Sequence, residues 1–228
     1  MKNKIFFICL VFTALVLAGC DRTNKVIEGP FITKHSKLYS QNNNRLVTGL
    51  VQVMGHEGKL LIQKGYKNGL QHGAEEWFYD NGQLMRIYPY LDGKKHGLYQ
   101  SFSKSGRLTG EGVYINGLAE GVFEYHHDSG ELMRKLIYKN NLINGEVKTY
   151  YSNGNLAIEE FFIDDKLEGI RKDFNLDGSP RTIQEYKNGE KEGQPECIRI
   201  NASGVKDPKD PFKDACVVYK PLKSYEVK

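Results

Sequence analysis

Glycine recurs every 24 residues along this chain, at Gly49, Gly73, Gly97, Gly121, Gly145, Gly169 and Gly193. A fixed period of this size means that one small unit is copied, and that each copy must bury its apolar surface against its neighbours. Taking each of these glycines as place zero, a second glycine stands at place nine of six copies: Gly58, Gly82, Gly106, Gly130, Gly154 and Gly178. Place twenty is Gly69, Gly93, Gly117 and Gly189, with Asn141 and Asp165 in the two remaining copies. Asn and Asp are the residues that best replace Gly where φ is positive, so place twenty is read as a turn.

Side chains keep the same register. Place eleven is Leu60, Leu84, Leu108, Leu132, Leu156 and Pro180, and place seventeen is Tyr66, Tyr90, Tyr114, Tyr138, Phe162 and Tyr186. Place five holds Met54, Phe78, Phe102, His126, Tyr150 and Phe174, and place one holds Leu50, Ala74, Leu98, Val122, Glu146 and Ile170. All four places are odd, which on uninterrupted strands puts them on one face and makes that face the expected packed stripe.

Asp80-Asn81-Gly82, Lys104-Ser105-Gly106, Asp128-Ser129-Gly130 and Ser152-Asn153-Gly154 read as three-residue hairpin loops that set place five opposite place eleven. The second turn, centred near place twenty-one, is expected to set Tyr90 opposite Leu98 and Tyr114 opposite Val122. The fold class that follows is all-β, an elongated and twisted antiparallel meander of 24-residue hairpins with about 12 or 13 strands. Gly73, Gly82, Gly97, Gly106, Gly121, Gly130, Gly145 and Gly154 are its structural turn residues. The opposite face, at places two and four, carries Glu75, Trp77, Tyr99, Phe123 and Tyr125 as candidate partner contacts, since aromatic side chains concentrate at binding hot spots. The alternative is that these rings bury themselves as the sheet curls.

Outside the repeat the chain divides into residues 1–19, 20–45 and 194–228, with the array at 46–193. Lys2 and Lys4 precede an apolar run of about 14 residues, shorter than the roughly 20 a membrane-spanning helix needs, so the start reads as an export signal. Leu17-Ala18-Gly19-Cys20 resembles a bacterial lipobox, which implies lipid on Cys20 and a membrane address. Asp21 after that cysteine resembles the retention signal of enterobacterial lipoproteins, which implies the periplasmic face of the inner membrane. Residues 20–45 are expected to be a tether with one strand. Removal of residues 1–19 and lipidation of Cys20 would leave Cys197 and Cys216 as the remaining pair, which suits one disulfide in an oxidising compartment and a C-terminal cap. Without Lys2 and Lys4 the 32 basic residues become 30 against 28 acidic ones, interspersed, which gives no electrostatic footprint for nucleic acid.

Tyr66-Lys67-Asn68-Gly69-Leu70-Gln71-His72-Gly73 and Trp77-Phe78-Tyr79-Asp80-Asn81-Gly82-Gln83-Leu84 resemble the variant MORN (membrane occupation and recognition nexus) repeat of bacteria, as in the YwqK-like antitoxin family. The resemblance implies a membrane-tethered immunity or accessory lipoprotein whose partner is a cognate secreted toxin, a phospholipase foremost. The other readings are an envelope protein that binds choline, glycans or lipid headgroups, and a structural scaffold.

Chemistry that would mark an enzyme is not evident, and no cofactor or metal is called for. His72 and His96 stand before repeat glycines and read as turn residues. His126 and His127 are adjacent, so on a strand they point to opposite faces and do not easily share a metal. Asn175-Leu176-Asp177-Gly178 lacks the spaced carboxylates of a calcium loop. The sequence therefore points to a binding surface rather than a catalyst.

Overall fold

The computed structural model of the protein describes residues 25–197. Thirteen strands follow one another in chain order across one open antiparallel sheet, from Gly49–Met54 at one edge to Glu190–Cys197 at the other. Three two-residue segments, at Lys94–Lys95, Leu142–Ile143 and Lys166–Leu167, extend it where a repeat glycine follows. The expected meander of hairpin repeats is the observed fold.

Each hairpin is built by the same two turns. In the three-residue loop, the Tyr79 N–H donates to the Gln83 carbonyl and the Gly82 N–H to the Tyr79 carbonyl, both at 2.8 Å, and later copies repeat the pattern. Gly82 has φ 81, the left-handed conformation this loop requires. Phe78 then faces Leu84 and Phe102 faces Leu108, as the loop predicts.

The second turn is tighter than expected. Lys67 pairs with Leu70, and Asn68 (φ 50) and Gly69 (φ 77) form a two-residue turn with both φ angles positive. Asn140 (φ 54) with Asn141 (φ 69) and Asp164 (φ 48) with Asp165 (φ 65) adopt the same shape. Such turns match the right-handed twist of the flanking strands and favour Asn-Gly and Asp-Gly. The turn therefore lies between places nineteen and twenty. Tyr90 faces Lys95 rather than Leu98, and Tyr114 faces Ala119 rather than Val122.

The packed face also differs from the expected one, for a definite reason. After place eleven every return strand carries one extra residue: Phe78 pairs with Leu84 but Trp77 pairs with Arg86, and the shift recurs in all six hairpins. A bulge of this kind sets two residues against one and reverses the alternation beyond it. Places thirteen, fifteen and seventeen thus share a face with places two and four. Places one, three, fourteen and sixteen take the other face.

The core runs along places two and fifteen. Phe123 is 1% exposed, Leu136 2% and Val147 0%, with Ala119 beside them, while Leu98 and Val122 at place one are 48% and 46% exposed. Aromatic rings continue the row: Tyr88 stacks on Tyr99 at 4.8 Å between centroids, and Phe123 meets Tyr114 at 5.7 Å and Tyr138 at 4.9 Å edge to face. Such contacts stabilise a pair by about 0.5–1.5 kcal/mol beyond the area buried.

Two seams hold neighbouring copies in step. On the turn side, the place-twenty N–H donates to the carbonyl at place twenty-two of the preceding copy, as in Gly93 to Gln71 (2.8 Å), Gly117 to Lys95 (2.7 Å) and Asn141 to Ala119 (3.1 Å). On the loop side, the Tyr79 and Tyr151 hydroxyls donate to the carbonyls of Phe102 and Phe174, at 2.9 and 2.8 Å.

Residues 25–46 are more structured than a tether with one strand. Phe31–Lys34, Lys37–Ser40 and Arg45–Leu46 form a three-stranded sheet. Ile27 and Lys25 exchange hydrogen bonds with Leu50 at 2.7 and 2.9 Å, and these bonds cover the first edge strand. The expected lipid on Cys20, the sorting role of Asp21, the residue 1–19 leader, Cys216 and the rest of the C-terminal cap lie outside the described residues. Cys197 ends the last strand opposite Thr182.

Phe123→Ala is expected to cost about 3–5 kcal/mol in urea unfolding, because it empties the centre of the core. A Cβ on Gly112 would stand 2.2 Å from the Phe123 ring. Gly112→Ala is therefore expected to cost about 1–3 kcal/mol in the same measurement.

Candidate functional site

The bulge brings together residues that the odd-even pattern kept apart. Near the start of the array the core row turns polar: Lys64, Glu75 and Tyr88 occupy three neighbouring strands, with Trp77 and Arg86 opposite each other in the adjacent row. Glu75 is 6% exposed. Its carboxylate accepts the Trp77 indole N–H at 2.7 Å and the Gln71 side-chain amide, lies 3.8 Å from the Lys64 ammonium, and takes a hydrogen bond from Tyr90. Burial pushes its pKa up, but these donors and Lys64 outweigh burial and hold it below the ordinary glutamate value of 4.5. Burial, followed by the negative Glu75, pushes the Tyr90 phenol up to about 12, so it stays protonated and donating.

The five residues expected to form a contact surface therefore divide. Glu75 is a buried anchor that orders Trp77 and Tyr90, and Phe123 is the centre of the core, so neither is presented to a partner. Trp77, Tyr99 and Tyr125 are half-buried and keep part of each ring uncovered. Burial, followed by neighbouring phenols, raises the Tyr125 pKa to about 12.

Place thirteen supplies residues that the sequence reading missed. The Arg86 guanidinium lies 4.3 Å from the Trp77 ring centroid and 5.8 Å from that of Tyr88. Arg134, two copies on, pairs across strands with Tyr125 and Thr149. Neither Nε has a hydrogen-bond partner among the described residues. The row thus carries two ring–cation pairs, Trp77 with Arg86 and Tyr125 with Arg134, separated by Ser101 and Gly110. Such a row can stack on apolar groups and take carboxylates or phosphates through planar guanidinium forks. A ring at place four with an Arg at place thirteen, in the alternate copies that begin at Gly73 and Gly121, was the available signal, hidden by the bulge.

At the far end, Glu160, Arg171, Asp173 and Thr182 form a second polar cluster. Arg171 bridges Glu160 at 2.9 Å and Asp173 at 2.9 Å, and the Thr182 hydroxyl donates to Asp173 at 2.6 Å. Lys95 lies 3.7 Å from the Tyr88 centroid and 4.9 Å from that of Tyr114. The ring faces best placed to hold a ligand cation are thus occupied by the chain's own cations. His127 donates its Nε2–H to the Tyr150 carbonyl, 3.1 Å away, and His96 accepts the Asn116 N–H at 3.4 Å, so both have structural partners. Among the described residues no cluster of three His, Cys, Asp or Glu side chains could hold a metal ion.

Comparison with protein families matches a MORN repeat variant to residues 71–92, 119–140 and 143–164. Three hairpins of the array are thus similar to MORN repeat variants. Every matched segment begins at place twenty-two and ends at place nineteen, which is one hairpin with its bulge. A hairpin with the same pairing recurs between the matched segments, where Gly97–Phe102 meets Leu108–Ile115. No curated protein matches the chain.

A carboxyl whose pKa is depressed by folding adds stability above its unfolded pKa and loses it as pH falls through its folded pKa. The stability difference between the native chain and Glu75→Gln is therefore expected to be largest at neutral pH and to shrink on acidification below 4.5. Urea unfolding across that range checks it.

Proposed function

We propose that this repeat protein is a membrane-tethered inhibitor that binds and neutralises a cognate secreted toxin, with a phospholipase as the class that best suits the address. The observation that carries the reading is the row of half-exposed rings and arginines, Trp77 with Arg86 and Tyr125 with Arg134, on a rigid sheet. Trp, Tyr and Arg are the residues that dominate protein-binding energetics when they are clustered and partly desolvated. The lipobox-like Leu17-Ala18-Gly19-Cys20 and the following Asp21 support a periplasmic inner-membrane position, where a phospholipase in transit would meet the inhibitor before its substrate. Tethering raises the local concentration of the inhibitor without adding a contact. Its action is steric occlusion, with no chemistry of its own.

A site for choline or another ligand cation is disfavoured by Lys95 and Arg86, which already lie over the rings of Tyr88, Tyr114 and Trp77.

The test is expression of the neighbouring phospholipase or toxin gene in the periplasm with and without this chain, scoring lysis and phospholipid breakdown. Protection is expected from the native chain, and Trp77→Ala with Arg134→Glu is expected to abolish it while the protein remains folded. Cys20→Ser is expected to release the chain from the membrane and reduce protection. No protection by the native chain, or full protection by the double variant, contradicts the proposal.

A further inference from the structure

The face opposite the core carries a second apolar stripe that the fold leaves uncovered. Ten of the exposed large apolar side chains, from Leu91 to Ile170, occupy places one, sixteen, eighteen and twenty-one, each between 38% and 48% exposed. Cross-strand pairing makes the stripe continuous: Leu98 faces Val113, Val122 faces Ile137, and Ile115 faces Leu118. At roughly 80 Å² apiece the stripe presents on the order of 800 Å², the share one partner contributes to a stable interface and more than a monomer usually leaves exposed.

Beside the stripe runs a row of charge at places three and fourteen. Glu76, Glu111 and Glu124 lie in its first half and Lys135, Lys148 and Lys172 in its second, where Glu159 stands between Lys148 and Lys172 and pairs with both, at 3.5 and 2.8 Å. The sign changes where Glu124 and Lys135 face each other, 2.7 Å apart.

We infer that this stripe is an interface between two copies of the chain, packed stripe on stripe in reversed order about a two-fold axis parallel to the strands through the Glu124–Lys135 pair. That axis sets Glu111 against Lys148 of the partner subunit, and Leu98 against Phe161 of the partner subunit. A two-fold contact needs a surface complementary to itself, and a row whose net sign reverses at its midpoint meets that need only in the reversed arrangement. A lipid surface would meet carboxylates along the border of the stripe, which disfavours an anionic bilayer as the occupant. The inference is independent of the proposed inhibitor function, which uses the opposite face.

Sedimentation of the purified full chain over a wide range of concentration tests it. The native chain is expected to be a reversible dimer. Val122→Glu is expected to weaken dimerisation more than about tenfold, which is about 1.4 kcal/mol, with an unchanged melting temperature at dilutions where both chains are monomeric, because Val122 is exposed in the monomer. Glu111→Lys and Lys148→Glu are each expected to weaken the dimer, and together to restore it, which keeps the test valid if Val122→Glu disturbs folding. A native chain that stays monomeric at the highest concentration overturns the inference. So does a dimer indifferent to these variants, or a native monomer that binds zwitterionic or anionic phospholipid vesicles through Val122.

Discussion

One extra residue at place twelve of each return strand is the constraint on which the structure depends. The three-residue loop commits place five to face place eleven. If alternation then continued unbroken, the large residues at places fifteen and seventeen would share a face with Leu98 and Val122, and Phe123 would stand opposite nothing of comparable size. The bulge moves Leu136, Tyr114 and Tyr138 to the side of Tyr99, Phe123 and Val147 instead. A single open sheet acquires a dry row in this way, because every strand of the array contributes to the same side.

The two seams explain how such different residues share place two. Backbone bonds from place twenty to place twenty-two fix the spacing of the copies on one side, and side chains such as Tyr79 and Tyr151 fix it on the other. The row between them is then free to vary, and it does: Val51, Glu75, Tyr99, Phe123, Val147, Arg171. Its middle is apolar and is flanked by polar clusters, each a buried carboxylate matched by donors on adjacent strands. A buried carboxylate without those donors would be costly, so Glu75 and Glu160 are tied to Gln71, Trp77, Lys64 and Arg171.

Much of the fold was legible in glycine spacing alone. The period, the three-residue loops, the positive φ at Asn141 and Asp165 and the number of strands all follow from turn chemistry, which is local. The packed face was not legible, because it depends on a bulge that leaves no glycine to mark it: place twelve is Leu61, Met85, Thr109, Met133, Ala157 and Arg181, with no common chemistry. That error carried into the site. Glu75 and Phe123 were placed on a contact surface and lie in the core, whereas Arg86 and Arg134 were passed over because thirteen is odd. Trp77 and Tyr125 at place four and Tyr99 at place two are half-buried, between the exposed and the self-buried alternatives that the sequence left open. The second turn was misplaced by about a residue because the polar link around it concealed a two-residue turn.

The most direct test of the reversed alternation compares two changes at one exposed position. Met133 is the extra residue of its hairpin and is 36% exposed. Replacement by Ala removes only an exposed side chain and is predicted to change urea stability by no more than about 0.5 kcal/mol. Deletion of Met133 restores unbroken alternation and turns Arg134, Leu136 and Tyr138 away from Phe123, so it is predicted to cost more than about 3 kcal/mol. A deletion no more costly than the substitution would contradict the account, because the bulge would then have no part in forming the core.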